Sequence, residues 1–117
     1  MSFDEAVSDL LERCPEARGA AIVDPDGIPV VAEPSASALE ALCAEFASIL
    51  REVGQAGREF HHGTLRQFSV HAERAIIILT SLAEGYFLLL VLDEGAVVGR
   101  ARFWSRVAGE RLYPEFA

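Results

Sequence analysis

The sequence predicts an α/β three-layer sandwich in the order α-β-β-α-β-β-β-α, with a five-stranded antiparallel sheet between helices on both faces. Three observations carry this. Residues 68–92 read as three short strands in a row, and two of them, Ile76-Ile77-Ile78-Leu79 and Phe87-Leu88-Leu89-Leu90-Val91-Leu92, are apolar on both faces. Such strands have to be covered on both sides. The links between the three, Ala72-Glu73 and Leu82-Ala83-Glu84-Gly85, are far too short for parallel crossovers, which take a dozen or more residues. The segments at the two ends and in the middle of the chain are amphipathic at helical spacing, and they supply the two outer layers.

The first helix opens on a capping box, in which Ser2 accepts from the backbone near Glu5 and Glu5 reaches back. Phe3, Ala6, Val7, Leu10 and Leu11 follow at helical spacing, and Pro15 after Cys14 is the stop. Residues 19–24 form a short apolar strand. Asp24-Pro25-Asp26-Gly27 is a hairpin turn with Gly27 at positive φ, and residues 28–33 return. Pro29 cannot donate to a ladder, so this second strand belongs at a sheet edge. Ser37 and Glu40 read as a second capping box, opening a long helix that ends near Gly54 or Gly57. Residues 65–71 alternate, with Phe68 and Val70 on one face and Gln67, Ser69 and His71 on the other. After the two buried strands, the last helix runs from about Ala96 to Leu112. Val97, Ala101, Trp104, Ala108 and Leu112 form its apolar stripe with Val107 beside it, and Arg102 and Arg106 lie opposite in water.

At 117 residues the chain is expected to be one domain, residues 1–117, and 51% apolar residues are enough to build a core. No apolar run reaches the roughly 18 residues of a membrane span, and the acidic opening Ser2-Phe3-Asp4-Glu5 is unlike a signal peptide. Cys14 and Cys43 make no metal or disulfide framework and read as reduced, mostly buried thiols of a cytoplasmic protein. A net charge of −8 argues against nucleic acid as a partner. All ten basic residues are arginine and there is no lysine or asparagine, as a GC-rich bacterial genome would encode. Without lysine there is no Walker A phosphate clamp, Schiff base or Ser–Lys pair, so any link to a nucleotide runs through a partner that binds it.

His61-His62 and His71 are the only histidines. Adjacent histidines point apart on a strand and lack a third ligand at metal spacing, so a solvated loop is the better reading. Asp24-x-Asp26-Gly27 resembles the start of a calcium loop, but Glu33 comes too early to close a twelve-residue loop. There is no G-x-S-x-G, no glycine-rich phosphate loop and no supported carboxylate pair. No enzyme active site, cofactor site or metal site is legible.

The long helix offers more. Leu39, Leu42, Phe46, Ile49, Leu50 and Val53 cover an arc of roughly 100°, which the small residues widen to about 180°. One sheet face needs only the narrower stripe. The flank carrying Ala38, Leu42, Ile49 and Ala56 is therefore free for a second neighbour, and a twin helix is the economical candidate. With Pro29 blunting the other edge, the strand at 65–71 is the free edge. A two-fold homodimer is expected, joined through Leu42, Ile49 and Ala56 on the helix and Gln67, Ser69 and His71 on the strand, with one continuous ten-stranded sheet. Glu45, Ser48, Arg51, Glu52 and Gln55, on the helix's polar side, are the candidate surface for another partner.

Three segments, GAAIVDPDGIPVVAE at 19–33, ALEALCAEFASILREVGQAG at 38–57 and DEGAVVGRARFWSRVAGERL at 93–112, resemble in that order the roadblock family, also called the dynein light chain roadblock type, with Gly99 at the family's glycine near the start of the final helix. The resemblance covers nearly the whole chain. It implies a profilin-like sheet with strand order 2-1-5-4-3, a homodimer and no catalytic residue. Bacterial members of the family commonly regulate small Ras-like GTPases, some by stimulating hydrolysis, or act beside sensor kinases. The leading expectation is thus a dimeric GTPase regulator or scaffold. The alternative is a sensory or adaptor module of a two-component or polarity system that binds a small ligand, against which the filled strands count.

Overall fold

Residues 1–116 are described in the structure, a computed structural model. Helix α1 (Phe3–Arg13) opens on the expected capping box. The Glu5 N–H donates to Ser2 Oγ at 3.2 Å, and the Ser2 N–H donates to the Glu5 carboxylate at 3.3 Å. Strands β1 (Ala17–Val23) and β2 (Pro29–Glu33) form the hairpin, followed by α2 (Ser37–Glu59), β3 (Gln67–His71), β4 (Ile76–Ser81), β5 (Phe87–Leu92) and α3 (Val98–Leu112). All pairings are antiparallel, and the sheet order is β2-β1-β5-β4-β3, as the resemblance implied. β2, with Pro29, and β3 are the two edges.

Strand alternation sends successive residues into two separate cores. Ala20, Ile22, Ile76, Ile78, Leu88, Leu90 and Leu92 meet α1 and α3 on one face. Ala21, Val23, Ile77, Leu79, Phe87 and Leu89 meet Leu39, Cys43, Phe46 and Ala47 of α2 on the other. This is why the central strands show no polar side.

The hairpin turn is shaped by its own residues. The Asp24 carboxylate accepts from the N–H groups of Asp26 and Ile28 at 2.9 and 3.0 Å, and Gly27 has φ +87°. Gly27 is also buried against α2. A Cβ there would lie 3.1 Å from Ala47 Cβ and 3.2 Å from Ala44 Cα, so glycine is what lets the turn dock on the helix.

Several expectations are corrected. The second capping box does not form: Ala36 is the N-cap of α2 and makes no side-chain bond, while Ser37 is already inside the helix. α2 does not stop at Gly54 or Gly57 but runs to Glu59. Gly54 is buried within it, and the chain takes positive φ only afterwards, at His61 and Gly63. A helical glycine costs about 1 kcal/mol, which packing along so long a helix outweighs. Val97 lies outside the apolar stripe, preceding α3 at 54% exposure, and Ser105 takes a buried place in the stripe instead. Trp104, on the expected stripe, is only half-buried. It packs on the rim of the α1/α3 core, with the Arg13 guanidinium 4.1 Å from its ring centre. The residues after α3 form a 3-10 turn (Tyr113–Phe116), and the Phe116 ring lies tilted against Phe3 and edge-on to Tyr86, with centroids 5.5 and 5.1 Å away.

Candidate interaction surface

α2 is the element on which the candidate residues converge. Its buried side, Leu39, Cys43, Phe46, Ala47 and Gly54, faces the sheet. Turned away from that side, toward β3, is the expected flank. At about 100° per residue, Ala38, Leu42, Ile49 and Ala56 fall within an arc of about 40°. Ala38, Ile49 and Ala56 are exposed and Leu42 is half-buried; Ile49, a large aliphatic side chain, is 41% exposed. Apart from Leu42, which packs partly against the core on this face, the flank is therefore uncovered among the described residues.

The sequence reading missed Phe60, at the C-terminal end of α2, which is 69% exposed and on the same stripe. The signal was available, because Phe60 continues the spacing of Ala56, but the helix was expected to have ended by then. Two surface hollows flank the stripe. A notch of about 260 Å³ lies by the helix N-terminus between Ala38, Leu39, Leu42, Val91, Pro34 and Gly19. A wider groove of about 820 Å³ lies by its C-terminus, between Val53, Ala56 and Phe60 on the helix and Leu65 to Gln67 on the approach to β3.

The β3 edge is defined by its pairing with β4. The Ser81 N–H donates to the Arg66 carbonyl at 2.8 Å. With Gln67 opposite Thr80, this places Phe68 and Val70 at the hydrogen-bonded positions of the ladder. Gln67, Ser69 and His71 therefore turn their backbone N–H and C=O groups outward, to the free edge. Their side chains point to the α3 face and are not the free groups. Gln67 is held by Thr80 Oγ1 at 3.0 Å and the Arg102 carbonyl at 3.1 Å, and Ser69 Oγ lies 3.3 Å from His71 Nε2.

Glu45, Ser48, Arg51, Glu52 and Gln55 are all exposed, on the outer side of α2. Three of them, Ser48, Arg51 and Gln55, are already engaged. Arg51 donates to the Pro25 carbonyl and to Ser48 Oγ, both at 3.3 Å, strapping the helix to the hairpin turn. Gln55 donates to Glu59 at 3.2 Å. Glu45 and Glu52 make no ion pair among the described residues and border the apolar flank.

A sequence model of the Roadblock/LC7 domain matches residues 3–93. The chain belongs to the Roadblock/LC7 family. The match takes in α2 and β3 and stops before α3, so most of the segment 93–112 lies outside it. Among solved structures, a Roadblock/LC7 domain from Streptomyces avermitilis superposes with a TM-score of 0.89 at 17% identity, over 99% of this chain and 98% of that one. The gliding protein MglB from Thermus thermophilus follows with 0.85 at 21% identity, over 97% and 89%. MglC from Myxococcus xanthus gives 0.68 at 25% identity, over 98% and 99%. These superpositions include α3 and extend the shared fold past the sequence match. No curated protein sequence matches the chain.

In this Roadblock/LC7 chain the other candidate chemistry is quiet. Both cysteines are buried, and loss of hydration pushes the Cys14 thiol up and the Cys43 thiol up to about 11, which leaves both protonated at neutral pH. His61 and His62 are exposed in the loop after α2. Among the described residues, no group of three or more His, Cys, Asp or Glu could hold a metal ion, and no helix is long and apolar enough to cross a membrane.

Proposed function

We propose that this Roadblock/LC7 chain is a single-domain, cytoplasmic homodimer that regulates or scaffolds a small Ras-like GTPase without contributing a catalytic residue. The observation that carries the reading is the juxtaposition of an exposed apolar flank on α2 with an outward-facing row of backbone groups on β3. Twin helices and twin strands would cover both, giving one ten-stranded sheet. The paired helices would then present Glu45 and Glu52 of both copies as a composite acidic face. A regulator without catalytic groups acts by binding one arrangement of the GTPase switch loops better than the other. The acidic residues would meet a basic patch and mainly set the association rate.

Two measurements test this. Ser69→Pro removes an outward N–H and leaves the β3–β4 ladder intact, so it is expected to shift the protein from dimer to folded monomer in sedimentation. A variant that stays dimeric would place the pairing elsewhere. Glu45→Arg with Glu52→Arg, in protein confirmed as dimeric, is expected to weaken binding to a small GTPase in one nucleotide state and to alter its salt dependence. Unchanged affinity and salt dependence in both GTP and GDP forms would exclude this face. A wild type that binds no such GTPase would favour the sensory module instead.

A further inference from the structure

Gly54 stands inside α2 with neither a conformational nor a steric reason for a glycine. It has no positive φ, and a Cβ there would meet only the Arg58 guanidinium, at 3.5 Å, an ordinary van der Waals contact. Glycine is among the poorest helix formers, so packing alone would favour alanine at this position. What the missing side chain leaves is the floor of a cleft of about 230 Å³. The cleft lies between α2, the hairpin turn at Pro25, the β4–β5 connection at Leu82, Gly85 and Tyr86, and the loop at Thr64 and Leu65. Gly85 brings the two turns together at one end: at φ +83°, a Cβ on it would lie 3.2 Å from Pro25 Cγ.

The lining carries one sign of charge. Ala47, Arg51, Gly54 and Arg58 fall within an arc of about 60° on α2 at about 100° per residue. Both arginines line the cleft and no Asp or Glu does, in a chain with 18 acidic residues and ten basic ones. Arg51 is held there by its bonds to the Pro25 carbonyl and Ser48 Oγ, both 3.3 Å. Arg58 lies over Gly54 and makes no ion pair among the described residues. Thr64 and Ser81 add hydroxyls, and Leu50, Leu82 and Tyr86 add apolar wall. Two guanidinium groups beside apolar surface in a concave site suit an anionic head on a small apolar body. A cavity of about 150 Å³ already takes a benzene molecule, so one ring with a charged substituent fits. This side of α2 is about 140–200° round the helix from Ile49, so the cleft stays open whether or not the chain pairs through that flank.

We infer that this cleft is a binding site for a small organic anion, a carboxylate or phosphate monoester on a body the size of one ring, with its head held by Arg51 and Arg58 and its body on Leu50, Leu82 and Tyr86. Gly54 keeps the floor clear, a loss of helix stability retained for a function. An occupant ties α2 to both turns, and because only the folded chain has the cleft, binding stabilises the fold.

The experiment is calorimetric titration and thermal unfolding of the full chain, at matched protomer concentration, with benzoate, phenyl phosphate, inorganic phosphate and benzyl alcohol as probes. Benzoate or phenyl phosphate is expected to bind saturably at millimolar concentration and to raise Tm, and the tighter of the two tells carboxylate from phosphate. Benzyl alcohol lacks the charge and inorganic phosphate lacks the ring, so each is expected to bind at least about tenfold more weakly. Arg58→Gln, at an exposed position, is expected to weaken the preferred probe about tenfold or more while leaving the Tm of the free protein unchanged. Gly54→Ala is expected to raise the Tm of the free protein and to weaken the same probe about tenfold or more, opposite signs that a purely structural glycine would not give. If neither ring anion binds the wild type, or benzyl alcohol or inorganic phosphate binds as tightly, the site is refuted. Binding left intact in Arg58→Gln refutes it too, and so does binding left intact in a folded Gly54→Ala.

Discussion

Gly27 joins the hairpin turn to the helix that carries the candidate surface, and replacing it with alanine tests that joint. Two effects add. At φ +87° an L-residue is in the left-handed region, which costs on the order of 1–2 kcal/mol for a residue with a Cβ. The new methyl would also lie 3.1 Å from Ala47 Cβ and 3.2 Å from Ala44 Cα. Ala44 Cα is backbone and cannot rotate away, so turn and helix must separate by a few tenths of an ångström, and overpacking of this kind costs about 1–3 kcal/mol. Gly27→Ala is therefore expected to lose about 2–5 kcal/mol. For a chain of this length that corresponds to a fall in Tm of roughly 8–20 °C. The assay is urea and thermal denaturation by circular dichroism at matched protomer concentration, because association shifts apparent stability. The control is Gly99→Ala. Gly99 has ordinary φ in the first turn of α3 and open space where a Cβ would go, so it is expected to be neutral or to gain up to about 1 kcal/mol. A Gly27→Ala loss below about 1 kcal/mol, or a loss at Gly99 as large as at Gly27, would refute the account of the joint.

Trp104→Ala is expected to cost about 1.5–3 kcal/mol by urea denaturation, roughly half of a full-burial loss, because the ring is only half-covered and Arg13 shields its outer face. A loss above about 4 kcal/mol would mean the ring is buried in solution. Cys43 gives a signature at alkaline pH. Its thiol is raised from 9.0 to about 11 in the folded state, so between those values the native state binds more protons than the unfolded one and stability falls as pH rises. Below pH 9 the contribution is complete. The urea midpoint of the wild type is thus expected to fall more steeply between pH 9 and 10.5 than that of Cys43→Ala, and parallel profiles would contradict the assignment.

The sequence by itself determined the layers. Ile76 to Leu79 and Phe87 to Leu92 are apolar on both faces and joined by links too short to cross over, and this demands an antiparallel sheet covered twice. The edges were legible for similarly local reasons, since a proline in β2 has no N–H to offer whatever surrounds it. The turn at Gly27 could be read as a turn, but its docking on Ala44 and Ala47 could not, because that contact joins residues well separated along the chain. The boundaries of α2 went the same way. Gly54 and Gly57 weaken a helix locally, yet packing against the sheet carries it through both, and only then does Phe60 come onto the exposed stripe. The position of Trp104 depended on how far α1 reaches over α3, which no spacing within α3 encodes. The candidate surface divides along the same line. Helical spacing marks Ala38, Leu42, Ile49 and Ala56 as one flank of α2. That this flank stands uncovered beside the outward-facing backbone of Ser69, with a hollow at each end, follows from how one helix lies across three strands, and only the tertiary structure decides that.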